Sequence, residues 1–139
     1  MGSGPSKELR PKVGVATIIK SGNTILLGKR LTKHAHGYFA PPGGHLEFGE
    51  SFETCSMRET EEETGLVIVN PKQLAVYNTI YFNEEKHYVV VFMLVEFPRG
   101  QEPRAMEPDK CASWDFFDLD QLPTPLMPGF QMLVEDRII

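Results

Sequence analysis

Cysteine is scarce in this chain of 139 residues, which contains Cys55 and Cys111 and no other cysteine. The two do not form a CxxC pair and have no nearby pair of histidines, which excludes a recognisable zinc site or disulfide framework. A chain without disulfides fits a reducing compartment, and we therefore expect it in the cytoplasm. Cys55 falls inside a predicted helix near Phe52 and Met57, where we expect a small buried residue.

Long hydrophobic runs and an excess of basic residues are also missing. No apolar segment approaches the roughly 18 residues of a membrane span, and the polar N-terminus is unlike a secretory signal, so we expect no membrane partner. The formal net charge of −5 provides no positively charged path for a nucleic-acid polymer. Much of this charge lies in one glutamate cluster, and the rest of the chain is nearly neutral, so net charge says little else about partners.

The chain does contain the pattern of one mixed domain. Its length suits a single hydrophobic core, and we predict a flexible N-terminal segment at 1–12 followed by one domain at 13–139. Runs of apolar residues predict strands at 13–19, 24–30, 66–69, 74–82, 87–97 and 113–117, and a short broken strand at 38–44. Helical patterns occur at 52–64 and 129–138, with a helical turn opening at 118–123. Strands mixed with a few helices predict an α+β domain whose helices pack on the sheet.

The most informative segment is GHLEFGESFETCSMRETEEETGL, residues 44–66. Ser51 is the predicted N-cap of its helix, and Gly65 can take the left-handed conformation that ends it. Between them, Glu59, Glu62 and Glu63 project from neighbouring positions on one helix surface. Like charges so placed repel one another, and a hard divalent cation such as Mg²⁺ or Mn²⁺ would remove the conflict. The alternative for such a run is a solvated acidic face.

The spacing of this segment resembles the signature of the Nudix hydrolases. Thr60 stands where the general pattern has an aliphatic residue. The other fixed positions are filled by Gly44, Glu50, Arg58, Glu59, Glu62, Glu63, Gly65 and Leu66. With the flanking residues, HYVVV at 87–91 and residues 106–123, the chain most closely resembles the MutT-type triphosphate diphosphatases of plants and animals. Those act on 8-oxo-dGTP, other nucleoside triphosphates, dihydroneopterin triphosphate or, in some, NADH. The resemblance implies a curved mixed β-sheet sandwiched between helices.

The same resemblance implies a metal site and a set of catalytic residues. The carbonyl of Gly43 would join Glu59 and Glu63 as ligands of Mg²⁺ or Mn²⁺, with Glu62 as a further ligand or a group that orients water. Glu59 and Glu107 are the two candidates for the general base, and family members differ on which residue serves.

Substrate contacts and structural roles follow from the resemblance as well. Arg30 would grip the substrate phosphates, and His45 would border the base pocket. Gly44 and Gly65 are structural in the motif. Arg58 is interpreted as structural, through a pairing with Glu50.

Three functions remain open from the sequence. The first is Mg²⁺-dependent hydrolysis of a small-molecule nucleoside triphosphate to the monophosphate and pyrophosphate. The second is hydrolysis of a dinucleotide such as NADH, or of ADP-ribose. The third is a non-catalytic nucleotide-sensing module, which would have no need for the complete glutamate set. The resemblance also implies a homodimer, supported by the apolar load of 74–82 and 113–117. On the latter strand, Trp114 and Phe116 share one face and belong either to the core or to a dimer contact.

Overall fold

The computed structural model describes residues 9–139, so most of the predicted N-terminal segment, residues 1–8, lies outside the described residues. The first strand begins at Lys12, and the division of the chain at residue 12 stays a prediction. In chain order the elements are β1 (Lys12–Ser21), β2 (Thr24–Arg30), β3 (Phe39–Ala40), β4 (Gly43–His45), α1 (Phe52–Thr64), β5 (Lys72–Tyr81), a 3-10 turn (Phe82–Glu84), β6 (Lys86–Glu96), β7 (Cys111–Asp118) and α2 (Pro128–Glu135).

The strands form one mixed sheet that opens between β1 and β2. Its order is β3-β2-β1-β6-β5, with β4 added beside β1 and β7 beside β2. The long strand β6 runs parallel to β1 and antiparallel to β5, so it lies inside the sheet. β1 and β2 pair at the hairpin, where Lys20 lies opposite Ile25, and then diverge to take β4 and β3 as separate neighbours. This divergence leaves a crevice between the two strands.

The two helices cover opposite faces of the sheet. Side chains alternate between faces along a strand, so neighbouring β6 residues enter different cores. Val91 packs with Cys55 of α1, which is fully buried as expected, whereas Phe92 packs with Phe130 and Leu133 of α2. The predicted α+β architecture, a mixed sheet sandwiched between helices, is confirmed.

The prediction of a strand at 66–69 is wrong, although the side chains of this segment do alternate between buried and exposed. Leu66 and Ile68 are buried, whereas Val67 and Val69 are exposed. The backbone of Val67 does not join a ladder: its N–H donates to Gln101 Oε1 (2.8 Å), and its carbonyl accepts from Gln101 Nε2 (3.1 Å). A side-chain amide therefore takes the place of a neighbouring strand, and hydrophobic periodicity cannot distinguish the two arrangements.

The C-terminal region also departs from its prediction. The predicted helical turn at 118–123 is wrong: Asp118 ends β7, and a turn follows at 119–120, where the Asp118 carboxylate accepts the N–H of Asp120 (2.8 Å) and competes with a helical pattern. Helix α2 begins at Pro128, one residue earlier than predicted, where proline suits a first turn. It ends at Glu135 rather than 138, before Arg137 adopts a left-handed conformation with φ of +56°.

Candidate active site

Helix α1 has the predicted bounds because both of its ends are capped. The Thr54 N–H donates to Ser51 Oγ (3.0 Å), which satisfies one of the free donors of the first turn. At the other end Gly65 has φ of +76°, and its N–H donates to the carbonyl of Glu61 (2.9 Å). These caps fix the register in which the glutamates face the sheet.

Arg58 organises the acidic residues around it. Its Nε and Nη2 bind the two oxygens of Glu50 (2.6 and 2.9 Å), while Nη1 binds Glu59 Oε1 (2.7 Å). The hydrogen bonds from Arg58 lower the pKa of Glu50 to about 2. Nη2 also donates to the carbonyl of His45 (3.2 Å), which ties the helix to β4. The arginine therefore joins the helix, the loop before it and the edge of the sheet.

Glu63 contacts the glycine strand β4 directly. The Gly43 N–H donates to its Oε1 (3.2 Å), and the indole of Trp114 donates to its backbone carbonyl (3.1 Å). Burial raises the pKa of Glu63 to about 8, and repulsion from Glu59 and Glu107 acts in the same direction. Burial likewise raises the pKa of Glu59, against the opposing effect of Arg58. Ionised carboxylates are thus unfavourable here unless a cation joins them.

Each glycine of β4 is required by a different neighbour, Gly43 by the adjacent strand β1 and Gly44 by helix α1. A Cβ on Gly43 would lie 2.6 Å from the carbonyl oxygen of Val15 and 2.9 Å from Ala16 Cα. A Cβ on Gly44 would overlap the carboxylate of Glu59. Gly44 therefore leaves the space into which the Glu59 carboxylate projects.

Glu107 reaches the same place from the loop after β6. The Arg104 N–H donates to the Thr64 carbonyl (2.8 Å), and the Met106 N–H to that of Glu63 (3.2 Å), so the loop is held against the end of α1. Glu107 lines the same cavity as Glu59 and Glu63. Glu62 does not line it: its side chain is 52% exposed and lies 3.3 Å from Arg58. The structure thus brings together three of the four glutamates proposed as catalytic or metal-binding.

A cavity of about 720 Å³ occupies the crevice between β1 and β2, and this volume is in the range of ligand pockets. Arg30 and His45 both line it, as do Gly14 and Ala16 of β1. His45 stacks on Tyr88 with ring centroids 5.5 Å apart, and burial lowers the pKa of this histidine.

Sequence reasoning missed the aromatic residues of this cavity. Tyr81 and Tyr88 line it beside the turn between β5 and β6, and Phe92 and Phe130 line it beneath α2. The period-two alternation of Tyr88, Val90 and Phe92 on β6 was a usable signal. It indicates a shared face, although not that this face lines a cavity.

The side chains present suit a hard divalent cation by their chemistry. Glu59 and Glu63 carry oxygen donors in a partly buried place where their own charges repel. Across residues 9–139, however, no group of three or more His, Cys, Asp or Glu side chains is arranged to hold an ion. Glu59 instead faces Arg58, and Glu63 faces Gly43. Each of these two contacts uses Oε1 of the carboxylate.

The NUDIX domain family matches residues 8–135, nearly the whole chain. The chain belongs to the Nudix family. A crystal structure of the MutT Nudix hydrolase from Burkholderia pseudomallei superposes with a TM-score of 0.85 at 32% identity, covering 91% of this chain and 97% of that one. The protein is thus a Nudix hydrolase with MutT-type neighbours.

Two further relatives are similar to this Nudix hydrolase in sequence. An ADP-ribose pyrophosphatase of Methanocaldococcus jannaschii is 38% identical over 83% of the chain. An NAD-capped RNA hydrolase of Vibrio atlanticus is 26% identical over 89% of the chain. The matches span 66% of the first relative's length and 44% of the second's.

Helices long and apolar enough to cross a membrane are not found in the described part of this Nudix hydrolase. Its location in the cytoplasm stays a prediction.

Proposed function

We propose that this Nudix hydrolase cleaves nucleoside triphosphates to the monophosphate and pyrophosphate with Mg²⁺ or Mn²⁺. One observation carries the proposal: Glu59, Glu63, Glu107 and Arg30 line a single cavity large enough for a nucleotide. Carboxylates suit the metal, and a guanidinium suits the phosphates, so one cavity holds both kinds of group that phosphoryl chemistry requires.

Each side chain then has a role in the proposed reaction. Glu59 and Glu63, with the carbonyl of Gly43, would hold the cation. The bound cation would neutralise charge on the phosphate oxygens and favour the ionisation of water. Arg30 would bind the phosphate chain and orient it. Glu59 and Glu107 remain the two candidates to accept the proton of the attacking water.

The apolar end of the cavity would bind the base. Phe92 and Phe130 are almost fully buried there, and Met127 lines the wall beside them. Apolar walls distinguish purines by shape weakly, by about 1–3 kcal/mol, and methionine adapts to different occupants. We therefore propose a permissive enzyme that prefers guanine-like bases without overwhelmingly favouring oxidised guanine.

Hydrolysis of ADP-ribose or of a dinucleotide is the second candidate. The relative from Methanocaldococcus jannaschii is an ADP-ribose pyrophosphatase. The cavity here also continues past the glutamates to Tyr81, Tyr88 and His45, which offer flat surfaces to a second group. A non-catalytic sensor is less favoured, because it would not require the carboxylates that the cavity collects.

A substrate panel tests these candidates together. Canonical and oxidised (d)NTPs, dihydroneopterin triphosphate, NADH and ADP-ribose are each incubated with Mg²⁺, and kcat/KM is measured from the products. We expect several triphosphates to be cleaved with comparable efficiency. A higher kcat/KM for ADP-ribose or NADH than for the triphosphates would favour the second candidate. A single substrate ahead by more than about 10⁴-fold would contradict permissiveness, because such a ratio requires specific buried hydrogen bonds.

Replacing Arg30 with alanine should raise KM strongly for every triphosphate and also lower kcat. The guanidinium would grip phosphate oxygens whose interaction tightens as charge develops. Steady-state kinetics provide the measurement, with Lys33→Ala as the control, since it removes an exposed cation from the following loop. A wild-type KM in Arg30→Ala would show that this side chain does not contact phosphate.

The protein should sediment as a homodimer at micromolar concentration. Apolar side chains remain exposed on β5, where Val76 is 48% and Ile80 45% exposed, and on β7, where Phe116 is 36% exposed beside Phe97. Such surfaces are typical of interfaces when they are contiguous. Trp114, by contrast, packs against the core under α1. A clean species of 15.7 kDa in sedimentation would contradict the prediction.

A further inference from the structure

His34 is held in place by residues far from it in sequence. It lies in the loop after β2, and its Nδ1 is 3.0 Å from Oε1 of Glu84, in the 3-10 turn between β5 and β6. The ring packs edge-on against Tyr81 (centroids 4.6 Å apart) and beside Tyr88 (5.8 Å). The side chain is only 12% exposed. One imidazole thus connects two segments that border the cavity.

The contact with Glu84 determines which ring nitrogen carries the proton in the neutral form. Burial lowers the pKa of His34, against the opposing effect of Glu84, which favours that neutral form. Because the Glu84 carboxylate can only accept, Nδ1 carries the proton and donates it. Nε2 is then an acceptor, and it is buried with no hydrogen-bond partner among the described residues. An unpaired buried nitrogen is unfavourable, so histidine is not the most stabilising residue for this position.

The same residue touches Arg30 through its backbone. Arg30 Nε donates to the carbonyl of His34 (3.1 Å), and its Nη2 donates to Thr32 Oγ1 (3.0 Å). Ala35, the next residue, has φ of +54°, a conformation that alanine adopts only when its surroundings impose it. The direction of the Arg30 guanidinium therefore depends on the conformation of this loop. The side chain of His34 attaches the loop to Glu84, Tyr81 and Tyr88.

We propose that His34 is a positioning residue that holds Arg30 toward the cavity for binding of the substrate phosphates. It does so through its hydrogen bond to Glu84, which we call the latch. The proposal rests on the phosphate-binding role proposed above for Arg30. Glu84, unlike His34, does not line the cavity, so its substitution removes no group that could touch the substrate directly.

Substitution by phenylalanine separates positioning from folding. His34→Phe keeps a flat ring against Tyr81 and Tyr88 but removes the bond to Glu84 and the unpaired Nε2. We expect the melting temperature to stay unchanged or rise, while KM for triphosphates increases about tenfold and kcat changes less. His36→Phe is the matched control, because His36 is exposed in the same loop, and it should leave KM unchanged. An unaltered KM in His34→Phe would overturn the proposal.

The partner residue supplies a rescue test. Glu84→Ala should reproduce the KM increase, and Glu84→Gln should restore most of the loss, because an amide oxygen still accepts from Nδ1. In the double variant His34→Phe/Glu84→Ala the two effects should not add, since both remove one contact. Additive effects, or equal effects of alanine and glutamine at position 84, would contradict a latch.

A spectroscopic measurement tests the effect of the His34–Glu84 contact on Arg30 independently of the proposed enzymatic activity. In ¹⁵N NMR of the whole protein, the Nε–H signal of Arg30 should be sharp in the wild type and in His36→Phe. In His34→Phe and Glu84→Ala it should broaden through exchange with water. An unchanged signal would refute the latch even if triphosphates are cleaved. A changed signal in a protein that cleaves no member of the panel would support the latch and reject the proposed function.

Discussion

Replacement of Glu63 by glutamine is expected to lower kcat at least about 10²-fold, which corresponds to roughly 2.7 kcal/mol of barrier. Glutamine keeps the shape and can still accept the Gly43 N–H, which now lies 3.2 Å from Oε1. It removes the charge that would bind the cation. Kinetics with saturating Mg²⁺ and a triphosphate of the panel provide the measurement. Glu61→Gln is the matched control, since it makes the same change at an exposed position of the same helix.

The same Glu63→Gln substitution should not lower the thermal stability of the metal-free protein, although it lowers the activity. In the metal-free protein the Glu63 carboxylate is largely buried near Glu59 and Glu107, so its neutral form is favoured. A glutamine there avoids both desolvation and repulsion, and we expect thermal unfolding without metal to occur at the same or a higher temperature. If Glu63 binds the cation, activity would be obtained at the expense of stability at this site. An unchanged kcat in Glu63→Gln would remove the assignment of this residue as a metal ligand.

Metal removal tests the same assignment without mutation. EDTA should abolish hydrolysis, and Mg²⁺ or Mn²⁺ should restore it. Ca²⁺ should be a poor substitute, because its larger and more flexible coordination shell would misplace the water. Full activity in EDTA would contradict the requirement for a divalent cation.

The sequence predicted the helix of the glutamates well, because all of its signals are local. Ser51 and Gly65 determine where α1 begins and ends, and both caps are found as hydrogen bonds in the structure. The pairing of Arg58 with Glu50 spans eight residues, close enough to infer from the motif. Short-range spacing is therefore sufficient for the bounds of α1 and for the pairing of Arg58 with Glu50.

The rest of the cavity depends on contacts that spacing does not encode. His34 meets Glu84 fifty residues along the chain, and Trp114 bonds Glu63 from fifty-one residues away. The false strand at 66–69 has the same cause, since its partner is a side chain from another loop. The topology of the sheet determines these long-range contacts. The periodicity of a sequence therefore indicates which way a residue faces but not which residue lies opposite it.

The glycine beside the glutamates provides the last test. Gly44→Ala should lower kcat/KM about 10²-fold with a small change in melting temperature. The added Cβ would overlap the end of the Glu59 side chain, which can rotate away more easily than backbone can shift. The fold would therefore survive, whereas displacement of a reacting group by about 1 Å is enough for a loss of this size.

Two comparison variants make the result for Gly44 specific. Gly14→Ala adds the same methyl group on the adjacent strand, where the nearest atom would be the Gly44 carbonyl oxygen at 3.8 Å, an ordinary contact, so a much smaller loss is expected. Gly43→Ala would instead press on the backbone of Val15 and Ala16, and should lower the melting temperature as well as activity. If Gly44→Ala retained wild-type kcat/KM, the orientation of Glu59 would not matter for the reaction. Its roles as metal ligand and as general base would then both be wrong, which would leave Glu107 as the candidate base.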